Sequence, residues 1–323
     1  MSFTKHIEGM PRQIVINKQI IHAGEAKEVN MNVYRLPTRT IMEIPVHVYR
    51  AVSDGPVLLL SAGMHGDETN GIEILRQLIR SGIFNKLVKG SVLAMPIINI
   101  ISFLNHSRDL PDGKDLNRCF PGSQSGSLGS RIAYDMMKEI VPQIDLGVDF
   151  HTGGARINNY PQVRCLFKDK QSLDLAKMFG SPFILNSGYR EKSFRHEAAR
   201  QGKPVLVYEA GESMRFNEKA ITEGVNGCLR LMKNLGMIAA EVPEGETKIL
   251  NDTTWVRATI SGLFRTSKKY GSEIKKNEVI GIISDPYGEM EVELKAPETG
   301  YIIGINNQPV INEGDALIHI GME

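Results

Sequence analysis

VLLLSAGMHGDETNGIEILRQLIR, residues 57–80, changes its hydrophobic period halfway along. Val57–Leu60 is a continuous apolar run closed by Gly63, as a strand buried on both faces requires. From Gly71 onward Ile72, Ile74, Leu75, Leu78 and Ile79 recur at helical spacing. A buried strand that turns at once into an amphipathic helix is the repeating unit of an α/β domain. Downstream, SVLAMPIIN (91–99), LGVDF (146–150) and PVLVYEAG (204–211) read as strands. SRIAYDMMKEIV (130–141), SLDLAKMFG (172–180) and NEKAITEGVNGCLRLMKNLG (217–236) read as helices between and after them. The fold class is therefore α/β with a mostly parallel or mixed sheet. Upstream, QIVI (13–16), VNMNVYRL (29–36) and PVHVYR (45–50) open the chain with strands, read as antiparallel.

Near AAEVPEGETKIL (239–250) the helices stop, and from Thr253 onward the chain is short β runs and glycine turns. This sets a boundary near residue 245 and divides the 323 residues into two domains, 1–245 and 246–323, each long enough to bury a core. The tail repeats itself. IKKNEVIGII (274–283) matches INEGDALIHI (311–320), with Ile274 on Ile311, Asn277 on Gly314 and Glu278 on Asp315; ATISGLF (258–264) matches APETGYI (296–302). Two such copies suggest a pseudo-twofold β sandwich, because each half exposes an apolar face that the other can cover. The pattern resembles the biotinyl/lipoyl carrier-like hammerhead domains. Their modified lysine sits at a hairpin tip where this chain reads SDPYGEME (284–291), without lysine, so a structural or oligomer role is expected for the tail.

A formal net charge of +1 and 41% hydrophobic residues argue against both an extended nucleic-acid surface and disorder. The opening MSFTKHIEGMPRQ has no apolar core of a signal, and no run approaches the ~20 apolar residues needed to span a bilayer. A cytoplasmic protein with no membrane partner is expected. Cys119, Cys165 and Cys228 are odd in number and widely spaced, and read as reduced, buried cysteines.

The chemistry gathers at strand ends. His65 and Glu68 stand three apart where VLLLSAG gives way to a helix, so imidazole and carboxylate can share one side of the first turn. The same spacing at His22 and Glu25 falls between β segments and reads as a turn. His151, in LGVDFHTGG, ends another apolar strand, and ligand sites in α/β sheets form at the carboxyl ends of strands. Two His and one carboxylate with an open position make a catalytic zinc arrangement. Asp149, two residues before His151, either holds the imidazole's other nitrogen or serves as a capping or salt-bridging acid. Glu209, at the end of PVLVYE, is placed to take a proton from a water at the metal; Glu212 is the rival, expected to face solvent. In SRDLPDGKDLNRCFPG (107–122), Asn117 and Arg118 suit a carboxylate, because the planar guanidinium accepts it in a fork and the amide adds a hydrogen bond. Arg108 in the same loop is either a further substrate contact or a surface charge.

GMHGDETNG, DLNRCFPG, DFHTGG and VYEAGE, in this order and spacing, resemble the succinylglutamate desuccinylase/aspartoacylase family, related to the zinc carboxypeptidases, over roughly residues 50–240. The resemblance implies a carboxypeptidase-like α/β/α sandwich with a mixed sheet, to which the tail adds a C-terminal all-β, hammerhead-like (barrel-sandwich) domain. It implies one Zn2+ per chain held by His65, Glu68 and His151, with Glu209 as general base and proton shuttle. It also implies that Asn117, Arg118 and Arg108 bind substrate. Tyr189, Arg190 and Arg195 are candidates for the family's remaining Arg and Tyr contacts, with a solvated helix face as the alternative.

The expected activity is zinc-dependent hydrolysis of the amide bond of a small N-acylated amino acid or related amine, releasing a carboxylic acid and a primary amine. The alternatives are a metallocarboxypeptidase acting on short peptides and a catalytically silent zinc-binding assembly protein. The expected partner is the small N-acyl substrate, with no nucleic acid and with a homo-oligomer left open.

Overall fold

The structure, a computed structural model, describes residues 12–35, 38–154 and 156–323. The opening residues 1–11 and Leu36, the last residue of the expected strand 29–36, lie outside them. The chain begins with a small antiparallel hairpin of β1 (Ile14–Ile16) and β2 (Gln19–Ile21), then the antiparallel pair β3 (Ala26–Arg35) and β4 (Ile41–Arg50). The α/β part follows: β5 (Val57–Ser61), α1 (Thr69–Arg80), β6 (Ser91–Met95), α2 (Ile100–Leu104), α3 (Leu128–Asp135), β7 (Leu146–Gly153) and β8 (Ile157–Cys165). It closes with α4 (Lys170–Phe179), β9 (Phe183–Asn186), α5 (Phe194–Arg200), β10 (Val205–Glu212) and α6 (Glu218–Asn234).

These strands form a mixed sheet in the order β3-β4-β6-β5-β7-β10-β8, with β9 pairing the far edge of β8. Its centre, β6-β5-β7-β10, is parallel, whereas β4 and β3 run antiparallel to their neighbours and β8 runs antiparallel to β10 but parallel to β9. Along β5 the side chains alternate between two cores, which is why the run is apolar throughout. Leu58 and Leu60 pack with Ile74 and Leu75 of α1 and Ile221 and Leu231 of α6. Val57 and Leu59 pack with Ile132 of α3, Phe194 of α5 and Ile14 of β1. Helices therefore cover both faces of the sheet.

The helix expected over 130–141 keeps its α form only to Asp135, then widens into a π turn over Met136–Ile140 ahead of Pro142, whose ring cannot continue the ladder. Cys165 and Cys228 are buried and Cys119 half-buried, all three free; burial pushes the Cys165 thiol up to about 12. Among the described residues no helix is long and apolar enough to cross a membrane.

Beyond α6 the chain adds β11 (Lys248–Leu250), parallel to β9, and then β12 (Asp252–Arg257), β13 (Gly262–Arg265), β14 (Glu273–Ile274) and β15 (Val279–Ser284). The last strands are β16 (Glu291–Lys295), β17 (Gly300–Asn306), β18 (Val310–Ile311) and β19 (Ala316–Met322). The sequence repeat is visible in the pairing: β13 pairs β15 and β18, while β17 pairs β19 and β14. The matched positions Asn277 and Gly314 both have positive φ, 68° and 87°, so each copy makes the same turn. Between the copies lies an apolar core that includes Phe264, Ile283, Ile302 and Ile320. The tail is also joined to the first sheet. β17 pairs antiparallel with the first half of β8, Gly304 opposite Asn159, so among the described residues thirteen strands run as one sheet.

Candidate metal centre and active-site cavity

β5 ends at Ser61, and the loop from it to α1 lies tight against the segment after β6. A Cβ on Gly66 would stand 1.9 Å from the carbonyl carbon of Ser102, so only glycine fits beside His65. Glu68 occupies the N-cap of α1 yet makes no side-chain cap bond. Its carboxylate turns inward instead, where His65 Nδ1 lies 2.7 Å from Oε1 and His151 Nδ1, from β7, lies 2.9 Å from Oε2. The Thr152 N–H donates to the same Oε2 at 3.1 Å. His65, Glu68 and His151 are 2%, 2% and 5% exposed, and their ligating atoms lie within 4.8 Å of one another. Burial opposes ionisation of Glu68, but the two imidazoles beside it hold its carboxyl well below the usual carboxylate range.

Each imidazole is held from behind. His65 Nε2 lies 3.0 Å from Asp115 Oδ1; His151 Nε2 lies 2.9 Å from Asp149 Oδ2, whose other oxygen accepts from Ser61 Oγ at 2.7 Å. Both rings thus turn Nδ1 to a shared centre and Nε2 to a carboxylate, the arrangement that fixes the tautomer of a metal-ligating histidine and raises its basicity. Burial lowers the basicity of His151, but Asp149 and Glu68 outweigh it and raise the pKa well above the ordinary histidine value. Asp115 is held well below the usual carboxylate range: burial works against it, and the bond from His65 with the charges of His65, Arg108 and Arg118 prevails. Two buried nitrogens and a carboxylate, converging and braced in this way, form a donor set that fits a divalent metal. The other His-x-x-Glu pair differs. His22 is exposed and its N–H donates to Glu25 Oε2 within a local turn.

The donor set opens into a cavity of about 740 Å³, lined also by Arg108, Asn117, Arg118 and Glu209. β10 lies parallel to β7 with Glu209 opposite His151, so the two side chains share a sheet face. Glu209 Oε2 accepts from Asn159 Nδ2 at 3.1 Å, and Oε1 lies 3.5 Å from Arg164 Nη1. Glu212, expected to face solvent, instead accepts from Asn307 Nδ2 at 2.7 Å and lines a separate pocket beside the C-terminal β unit. The bulge in β10 between Glu209 and Glu212, with Gly211 at φ 78°, turns it out of line with its neighbour.

Arg108 donates to Glu68 Oε1 at 3.1 Å and to Asp115 Oδ2 at 2.9 Å, which ties it to the donor set. Asn117 Oδ1 accepts the Phe194 N–H at 2.9 Å at the start of α5, and Arg118 Nη1 donates to the Asn117 carbonyl at 2.5 Å. The nearest carboxylate to Arg118, Asp115, is 3.9 Å away, so most of its charge faces the cavity. Arg195 does not lie on a solvated helix face: it is 8% exposed and donates to the carbonyls of Arg164 and Gly188. Tyr189 lies under its guanidinium at 5.3 Å, and Arg190 is exposed at the rim.

Three cavity residues, Asn159, Arg164 and Trp255, and the role of Asp115 behind His65 were not foreseen from the sequence. Asp115 caps a short turn by accepting the Asn117 N–H, a local signal that hides its second bond to His65, fifty residues away. Asn159 and Arg164 sit on β8, whose INNYPQVRC reads poorly as a strand because Pro161 interrupts it. Trp255, the single tryptophan, comes from β12 and lies flat on His319 at 4.3 Å. Burial, aided by Arg164, pushes the His319 pKa down to about 3 and keeps it neutral at pH 7.

Residues 54–235 match the succinylglutamate desuccinylase/aspartoacylase catalytic domain. Among curated proteins, the N-alpha-acetyl-L-2,4-diaminobutyric acid deacetylase of Halomonas elongata is 29% identical over 290 residues, covering 85% of this chain and 84% of that protein. The crystal structure of a succinylglutamate desuccinylase/aspartoacylase from Rhodobacter sphaeroides has a TM-score of 0.80 at 26% identity, over 93% of this chain and 95% of that one. The product-bound ectoine utilization protein EutE (DoeB) of Ruegeria pomeroyi shares the fold, with a TM-score of 0.82 at 22% identity over 92% and 95%. The matched catalytic domain takes in β5 through α6, and with it both histidines, Glu68 and Glu209: the chain belongs to the succinylglutamate desuccinylase/aspartoacylase family of deacylases.

Proposed function

We propose that the protein is a zinc-dependent deacylase that hydrolyses the amide bond of a small N-acylated amino acid, releasing a carboxylic acid and a primary amine. The reading rests on one observation: a buried His65–Glu68–His151 donor set opens into the same cavity as a carboxylate, Glu209, on the neighbouring strand. The Halomonas relative, a deacetylase of an N-acetylated amino acid, makes an N-acetyl amino acid the first substrate to try. We take residues 1–245 as the catalytic domain and 246–323 as a hammerhead-like β domain without a modified lysine.

Zinc held by His65, Glu68 and His151 would lower the pKa of a water toward ~7 and polarise the acyl carbonyl. Glu209 takes a proton from the attacking water and delivers it to the departing nitrogen, so that an amine leaves in place of an amide anion. Asp115 and Asp149 keep both imidazoles turned for ligation. Arg118, with Asn117, grips the substrate carboxylate, and Arg108 offers a further donor beside Glu68.

Arg118→Ala tests the substrate assignment. Removing a charge-assisted contact costs on the order of 1.5–3 kcal/mol, or about ten- to a hundredfold in kcat/KM, for N-acyl amino acids. Arg118→Lys recovers part, since an ammonium cannot form the fork. With a substrate whose carboxylate is replaced by an amide, wild type loses activity and Arg118→Ala treats the two alike. Equal proportional losses on both substrates would contradict the assignment, and faster turnover of short peptides than of N-acyl amino acids would favour a carboxypeptidase.

A further inference from the structure

The carboxylate of Glu209 is held at both oxygens by side chains from β8. Arg164, opposite Val207, approaches Oε1, and Asn159, opposite Gly211, donates to Oε2. Asn159 reaches the same face as Glu209 because the register of β8 against β10 slips between these pairs, a bulge that contains Pro161. Asn159 is 4% exposed and lies between two glycines: Gly211 on β10 and, on its other side, Gly304 on β17 of the C-terminal unit. A Cβ built on Gly304 would stand 2.8 Å from Asn159 Oδ1 and 3.4 Å from His319 Cβ. The amide of Asn159 thus occupies the space that a side chain at position 304 would fill.

We infer that Asn159 and Arg164 are positioning residues for Glu209, and that the C-terminal β unit takes part in catalysis by leaving, at Gly304, the clearance that keeps the Asn159 amide on the Glu209 carboxylate. This rests on the reading of Glu209 as the base. A general base acts only within hydrogen-bond reach of the proton it moves, so a carboxylate free to rotate spends part of its time out of range. Two donors on one carboxylate fix its plane. Arg164 alone, at 3.5 Å and 29% exposed, leaves that plane free to turn.

Gly304→Ala tests this from outside the catalytic domain. The backbone at Gly304 is not left-handed, so alanine is tolerated there, and the nearest obstacle is the end of the Asn159 side chain. The expected result, on zinc-loaded full-length protein, is a fall in kcat on the order of ten- to a hundredfold with KM, zinc content and melting temperature unchanged. Asn159→Ala should give a similar loss, and adding Gly304→Ala to it should cost nothing more, because the group it displaces has gone. A crystal structure of Gly304→Ala should show the Asn159–Glu209 bond broken. Wild-type kcat in Gly304→Ala, losses that multiply in the double variant, or an intact bond in that crystal would each overturn the positioning role. Glu209→Gln in the same assay separates the two levels. A large loss there with none in Gly304→Ala overturns only the positioning, while wild-type kcat in Glu209→Gln overturns the base and the positioning together.

Discussion

His151→Ala should lose its zinc and, with it, hydrolysis. The imidazole is one of the three proposed ligands and, among the described residues, the partner of Asp149 Oδ2, so its removal deletes a donor and leaves two buried carboxylates, Glu68 and Asp149, short of compensation. The activity loss should exceed the roughly 10–100-fold typical of changes behind a ligand. Asp149→Asn, which keeps the ligand and changes its support, should fall within that range. Breaking a buried charged pair can itself cost about 3–5 kcal/mol, so circular dichroism must accompany the metal analysis. His22→Ala is the control: its exposed turn holds no part of the site, and zinc should stay stoichiometric. Near-stoichiometric zinc in a folded His151→Ala would contradict the three-ligand centre.

Glu209→Gln should do the reverse, keeping zinc and fold while kcat falls roughly 100- to 10,000-fold, the range for loss of a general acid–base group. The amide is nearly isosteric and cannot take up the proton. Glu212→Gln should be close to neutral for turnover, since that side chain engages Asn307 in a different pocket. Steady-state kinetics with metal content measured on the same samples decides between them. A larger loss in Glu212→Gln would exchange their roles.

Much of this was legible in the chain because the physics that builds it is local. Val57–Leu60 is apolar on both faces since helices cover both, and the helix expected over 217–236 follows from spacing, with Asn217 proving to be its cap and Glu218–Asn234 its extent. That His65, Glu68 and His151 come together was legible because strand ends and glycines mark them. The support of that group was hidden, since it is made by pairings distant in sequence. Asp115 looks like a turn cap and is one, while its bond to His65 depends on how two loops dock. Asn159, Arg164 and Trp255 were missed for the same reason. β8 carries a proline and a bulge, and its junction with β17 joins the tail to the catalytic sheet across more than a hundred residues of chain. The repeat in the tail could be read because each copy makes the same turn. That the tail continues the main sheet could not, because edge pairing leaves no periodic trace in sequence.

A metal held by His65, Glu68 and His151 is proposed to drive amide hydrolysis in this cavity. The most direct test is release of primary amine from a panel of N-acetylated α-amino acids by the purified protein, measured before chelation, after it, and after zinc is restored. Amine release is expected from at least one member, with its loss on chelation and its return with zinc in wild type but not in His151→Ala. Amine release that persists in the metal-free protein, or none from any member at full zinc occupancy, would contradict it.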